Sequence, residues 1–268
     1  MASSSRGSAW TPILLEAAKN VRSHVQVVLS RRPKLAVAEL KRLLDSKAQE
    51  AILETLEHRN VSAQLISEER DATLGDGGVY IVADPVDGTT NLARELSYAV
   101  TSLAVSETPW LSGTIAGLVM DLNSGEVYRG ERGIGAWRGG TPIHPAGPKR
   151  MADALISFDI SKGAPVKAVE RLIAGARHLR QLGSAAISLC LVASGALDAH
   201  VDLRGMLRAT DVAAGLLILK ESGGVFSVDG VVGGDLELTR QSKLDLVAAS
   251  GPEMFEGVLG LVEQRRLA

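Results

Sequence analysis

Apolar positions recur along the chain at two spacings, and the change from one to the other outlines its elements. Leu14, Leu15, Ala18, Val21, Val25 and Val28 fall three and four apart, as one buried helix face does. Thr11-Pro12 precedes them and reads as an N-cap followed by proline in the first turn, leaving residues 1–9 as a loose polar tail. A second helical pattern runs from about Asp45, with Ala48, Ala51, Ile52 and Leu56 on one face. Short apolar runs then take over. "AQLISEE" and "VYIVADP" read as strands, "NLARELS" as a short helix, and "YAVTSLAV", "TIAGLVMDL" and "EVYRG" as further strands. Asn123-Ser124-Gly125 is the hairpin turn between the last two.

Residues 139–150, "GGTPIHPAGPKR", are rich in glycine and proline and mark the expected boundary between halves 10–145 and 146–268. Beyond it strands alternate with helices: "ALISFDI", a helix over 165–176, "HLRQLG", a helix over 184–194, "DAHVDL" and a helix over 211–222 closed by Gly223-Gly224. "LDLVAAS" and a helix from Pro252 complete the order. Such alternation predicts an α/β second half behind an α+β first half.

Composition narrows the function classes. The 268 residues are 46% apolar and 22% charged, enough for a large core, but only 3% aromatic, so that core rests on Leu, Val, Ile and Ala. A net charge of −2 gives no general attraction to nucleic acid or anionic lipid. An anionic ligand therefore needs local positive groups or a bound cation. The single cysteine, Cys190, lies in the apolar run "AAISLCLVAS" and reads as a buried, inert thiol. The opening residues lack a secretory pattern and no long apolar run follows, so a cytoplasmic chain without membrane contact is expected. The five histidines are scattered, without metal-ligand spacing, and the glycines of "GERGIGAWRGG" lack the strand and helix that a dinucleotide loop requires.

Carboxylates at strand ends carry the chemistry. "LISEE" ends in Glu68 and Glu69, and "VYIVADPVD" ends in Asp84 and Asp87. If the two strands are neighbours, these acids gather at one sheet edge. Unpaired like charges at about 4 Å repel by roughly 4 kcal/mol at an effective dielectric of 20, so such a cluster calls for a cation. All-oxygen donors point to Mg²⁺, Mn²⁺ or Ca²⁺ rather than zinc. Gly88-Thr89-Thr90 opens a helix directly after the acidic turn, and its free N–H groups can receive an anion. Cation and phosphate sites are thus contiguous in sequence. A plain turn, with Asp45 and Asp211 as helix caps, accounts for the same residues one at a time.

Three stretches together, "SEE" at 67–69, "DPVDGTTN" at 84–91 and "TDVAAG" at 210–215, resemble the inositol monophosphatase family. "VDLRGMLRATD" is similar to its archaeal-type fructose-1,6-bisphosphatase/inositol-1-monophosphatase branch. The resemblance implies a layered α-β-α-β-α sandwich, a homodimer, and a Mg²⁺-dependent phosphatase for a small sugar phosphate, with Mn²⁺ a possible substitute. It implies roles residue by residue. Glu68, Asp84 and the carbonyl of Val86 would hold one Mg²⁺, Asp84, Asp87 and Asp211 a second, with a weaker third shared by Glu68. Gly88, Thr89 and Thr90 would receive the phosphate, Asp45 with Thr89 would orient the attacking water, and Glu69 would stand behind the ligands. One metal would make hydroxide available near neutral pH and the other would stabilise the leaving alkoxide. Gly183, Ser184 and Ala185 align with the substrate-side helix start.

Departures from the family pattern bear on the substrate. Ser67 replaces a glycine, Leu92 an aromatic and Thr210 a tryptophan. Arg204 occupies the place where inositol-specific members carry a glutamate. A guanidinium there suits a second phosphate, with Arg208 to assist, and tilts the expectation toward fructose 1,6-bisphosphate in gluconeogenesis. Inositol monophosphate alone and 3′-phosphoadenosine 5′-phosphate are the competing substrates, the latter disfavoured by the scarcity of aromatics for an adenine platform. A non-catalytic relative of the fold would be expected to lose one of Glu68, Asp84, Asp87 or Asp211, and all are present.

Overall fold

Two long helices, α1 (Ser4–Leu29) and α2 (Val37–His58), open the computed structural model, which describes residues 4–32, 35–147, 149–161 and 165–262. Their apolar stripes, Leu14, Ala18, Val21 and Val25 against Leu40, Leu44, Ala48 and Ile52, are buried together on one face of a sheet. Three expectations are corrected here. Residues 4–9 are helical, and Pro12 lies inside α1 rather than at its start. A tertiary contact holds the extension: Ser8 Oγ and Thr11 Oγ1 donate to the buried carboxylate of Glu131 at 2.5 and 2.7 Å. Likewise α2 begins at Val37, so Asp45 stands in mid-helix and caps nothing.

The first sheet contains β1 (Ala63–Ser67), β2 (Ala72–Leu74), β3 (Val79–Asp87), β4 (Val100–Ser106), β5 (Thr114–Asp121), β6 (Val127–Glu131), β7 (Gly135–Arg138) and β8 (Thr141–Pro142), in the order β2-β1-β3-β4-β5-β6-β7-β8. Only β1 and β3 run parallel. "GERGIGAWRGG" forms the β6–β7 and β7–β8 hairpins. The second sheet contains β9 (Leu155–Phe158), β10 (His178–Arg180), β11 (Ala199–Leu207), β12 (Val225–Val228), β13 (Val231–Val232) and β14 (Leu244–Ala249), in the order β10-β9-β11-β14-β12-β13.

Helix α3 (Thr89–Ala93) is a short turn after β3, while α5 (Ala185–Ala193) and α6 (Ala209–Ser222) fill the space between the sheets. Helices α4 (Val166–Gly175) and α7 (Pro252–Leu259) cover the far face of the second sheet. The layers thus run helix, sheet, helix, sheet, helix. Covering explains the sequence pattern: β4 is buried at every position because helices lie on both of its faces, so its apolar run does not alternate. Helix α5 is apolar on nearly every side for the same reason. Among the described residues, no helix is long and apolar enough to cross a membrane.

Candidate active site

β1 and β3 are neighbours, and Ser67 pairs with Ala83. One step further along each parallel strand stand Glu68 and Asp84, and Glu68 N–H donates to Ala83 O at 3.1 Å. The β3–β4 register then slips between Asp84 and Asp87, across Pro85, which has no N–H to give the ladder. Asp84 Oδ1 accepts from Val86 N at 3.0 Å, closing that bulge. Asp211 arrives from the other half of the chain, in the first turn of α6. Its Oδ2 accepts from Arg208 N at 2.9 Å and its Oδ1 from Thr210 Oγ1 at 3.1 Å, so the carboxylate caps its helix while facing the cluster. Oxygens of Glu68, Asp84 and Asp211 lie within 4.8 Å of one another.

Asp87 stands beside this trio but outside that limit. Its Oδ2 accepts from Ser184 Oγ at 2.7 Å and from Ala186 N at 2.8 Å, so it anchors the start of α5. Asp84 is 2% exposed and Asp211 8%. Burial first, then the charges of Glu68, Asp87 and Asp211, pushes the Asp84 carboxyl well above its ordinary range. Burial and the Asp211 charge raise Asp87 to about 7 against the pull of its two hydrogen bonds. Burial also raises Asp211, opposed by Arg208. A set of oxygen donors short of counter-charge fits a hard divalent cation. Arg208 supplies one positive group, its Nη2 bonded to Glu68 Oε1 and 3.7 Å from Asp211 Oδ1.

Gly88 follows with φ +91°, a conformation that turns β3 into α3 and leaves the first N–H groups of that helix without intrahelical acceptors. Thr89 Oγ1 lies 3.0 Å from both Asp45 Oδ1 and Val86 O; its one proton serves one acceptor at a time. Burial, then the neighbouring Glu69 and Glu68 charges, lifts Asp45 to about 6 against the hydrogen bond from Thr89. Thr90 Oγ1 accepts from Lys41 Nζ at 2.9 Å. All these groups line one cleft of about 680 Å³, together with Gly183, Ser184 and Ala185. Glu69 does not line it; burial and the Glu68 charge raise its carboxyl.

The far wall comes from β9 and β11. Arg204 reaches the cleft already partnered: Nε donates to Asp202 Oδ1 at 2.9 Å, Nη2 to Asp202 Oδ2 at 2.5 Å and Nη1 to Ser161 Oγ at 3.0 Å, with Asp159 Oδ1 at 3.1 Å. His200, 3% exposed, bonds Ser157 Oγ through Nδ1 at 2.8 Å, and burial lowers its pKa. Cys190 is fully buried, and its thiol is pushed up by burial, as an inert core cysteine should be.

Residues 9–266 match the sequence profile of the inositol monophosphatase family. The chain belongs to this family. It is 32% identical over 235 residues to the fructose-1,6-bisphosphatase/inositol-1-monophosphatase of Methanothermobacter thermautotrophicus, covering 83% of each chain. Identity to inositol monophosphatase 1 of Xenopus laevis is 28% over 238 residues, 84% of this chain and 80% of that one. A solved inositol monophosphatase–fructose 1,6-bisphosphatase superposes with a TM-score of 0.82 at 24% identity, covering 94% of this chain and 99% of that one. A Pyrococcus horikoshii protein with similarities to inositol-1 monophosphatase gives 0.80 at 23%, covering 96% and 100%. These structures show the shared fold, and membership of the family makes the chain a phosphatase.

Arg204 is already paired within the cleft. The guanidinium expected to face a second phosphate stands two positions after Asp202 on β11. The two-residue period of a strand sets both side chains on the cleft side of β11, so the wall carries both charges as a pair. Sequence reading also missed Arg240. Its Nη2 donates to the carbonyls of Glu68 and Glu69 at 2.8 and 3.0 Å and fixes the turn that aims Glu68. No local signal marks that residue, because its partners lie 172 and 171 positions away. Lys41 was discoverable, being one helical turn before Asp45 on the same face.

Proposed function

We propose that the chain is a Mg²⁺-dependent phosphomonoesterase for sugar phosphates, releasing the 1-phosphate of fructose 1,6-bisphosphate and taking inositol 1-phosphate as a second substrate. The carrying observation is the convergence of Glu68, Asp84 and Asp211 beside Asp87 and the Gly88–Thr89 turn in one cleft. Glu68, Asp84, Asp87, Asp211 and the Val86 carbonyl would hold two or three ions, with Mn²⁺ an acceptable substitute. Bound there, the ions would polarise the phosphate and stabilise charge on the leaving oxygen. The N–H groups of Gly88, Thr89 and Thr90, with Lys41 beside them, orient the phosphate. A water against Thr89 Oγ1 gives its proton to the Thr89–Asp45 pair; an Asp45 lifted to about 6 is poised for that transfer near neutral pH. The fructose bisphosphatase name of the Methanothermobacter relative supports the bisphosphate. The carboxylates of Asp202 and Asp159 on the far wall, acceptors for ring hydroxyls, favour inositol monophosphate as the second reading.

Phosphate release from the two substrates, measured side by side with Mg²⁺ and with excess chelator, tests the proposal. Release should require the metal and favour the bisphosphate. Asp84→Asn should lower it by at least about a hundredfold while the circular dichroism spectrum stays that of the folded chain. Undiminished release in chelator, or a fully active Asp84→Asn, would sink the metal assignment.

A further inference from the structure

Four cationic side chains, Lys41, Arg204, Arg208 and Lys243, line the cleft. Three already have partners. Lys41 donates to Thr90 beside the phosphate turn, Arg208 to Glu68, and Arg204 to Asp202 and Ser161, with Asp159 at ion-pair distance. Lys243 alone has neither hydrogen bond nor ion pair among the described residues, and its side chain is exposed.

Its base is nevertheless fixed. Leu244 pairs with Leu207 in the antiparallel β11–β14 ladder, so the preceding Lys243 stands beside Arg208, where β11 gives way to α6. The turn leading to it is closed by Thr239 and Ser242, whose hydroxyls lie 2.9 Å apart, with Ser242 N donating to Thr239 Oγ1 at 3.1 Å. Arg240 in the same turn is tied to the backbone of Glu68 and Glu69. The backbone of Lys243 is thus fixed by a hydrogen-bonded turn, and its exposed side chain stands at the edge of a cleft whose two arginines are ion-paired and whose other lysine donates to Thr90.

Carboxylates dominate the rest of that cleft and disfavour any anionic group that a ligand presents beyond its metal-side phosphate. A bisphosphate must place a second phosphate there, whereas an inositol monophosphate presents only hydroxyls. We propose that Lys243, rather than Arg204, receives the distal phosphate of a bisphosphorylated sugar and sets preference for it over monophosphates; this rests on the substrate reading given above. Asp202 and Asp159 then hold Arg204 in place and accept from sugar hydroxyls.

The test compares kcat and KM on fructose 1,6-bisphosphate and inositol 1-phosphate for wild type, Lys243→Met and Lys243→Arg in one Mg²⁺ buffer. Lys243→Met should raise KM for the bisphosphate about tenfold, the scale of one charge-assisted contact, with kcat nearly kept. KM for inositol 1-phosphate should move by under about twofold, and Lys243→Arg should restore most of the loss. The bisphosphate KM should also depend less on salt in Lys243→Met. Equal changes for both substrates, or none for the bisphosphate, would overturn the role of Lys243 while leaving the phosphatase intact. A wild type that turns over inositol 1-phosphate but no bisphosphate would overturn the substrate reading and the lysine's role together.

Discussion

A carboxyl group that loses more hydration than nearby cations and donors return holds its proton to higher pH, and Asp45, Asp84, Asp87 and Asp211 all do so here. The sign for stability follows. Their folded pKa values lie above the unfolded ones, so the stability they contribute is present below about pH 4 and is lost as pH rises through about 6 for Asp45 and about 7 for Asp87. In chelator, the melting temperature should therefore fall by about 5 °C or more between pH 5.5 and 7.5. Mg²⁺ should reverse that fall, with an effect that grows with pH. A thermal-shift series at matched ionic strength checks this; a metal-free melting temperature that stays level or rises across the window would contradict it. Asp84 and Asp87 were legible in the sequence because they close an apolar strand, and Asp45 and Asp211 through the resemblance carried by the motifs around them. The direction of their shifts was not, because it depends on what the fold sets around them.

At the scale of elements, the joint between β3 and α3 sets the geometry of the cleft. Gly88 turns the chain with φ +91°, and a Cβ there would lie 2.6 Å from Tyr98 O, a backbone atom with little room to move. Gly88→Ala combines that contact with a conformation L-residues avoid, and should cost about 1–3 kcal/mol. Because the turn also positions Thr89 and the free N–H groups at the start of α3, where the phosphate is proposed to bind, phosphate release should drop further than stability. Denaturant melts and steady-state kinetics on the same variant decide it; an unchanged midpoint with full activity would show that the turn tolerates a side chain. The turn itself could be read from "DPVDGTTN". The extent of neighbouring elements could not: α1 starts at Ser4 because Glu131, far along the chain, anchors Ser8 and Thr11.

For the whole molecule, α6 is the member that joins the halves. It carries Asp211 at its start and packs between the sheets, where Gly117 of β5 and Gly130 of β6 admit its backbone. A Cβ on Gly117 would lie 3.0 Å from Ala214 O and 3.1 Å from Ala214 Cα. Gly117→Val should therefore push α6 off the sheet, lower stability by about 1–3 kcal/mol and displace Asp211 from Glu68 and Asp84. The variant should show weaker Mg²⁺ protection against melting as well as a lower midpoint. A loss of stability with unaltered Mg²⁺ protection would mean that α6 does not position its ligand through this contact.

The sequence by itself determined the layered class, most strands and helices, and the acidic and glycine positions of the cleft. Periodicity and turn chemistry are local, and the motif residues lie within a few positions of one another. Tertiary structure alone decided the rest. The β1–β3 register brought Glu68 beside Asp84, the pairing of β9 with β11 set Asp159 and Ser161 against Arg204, and the turn at 239–243 carried Arg240 to the backbone of Glu68 and Glu69. Charge pairing acts through space: Asp202 stands two positions from Arg204, but Asp159 and Ser161 beside Arg204 and Glu68 beside Arg208 come from stretches far along the chain.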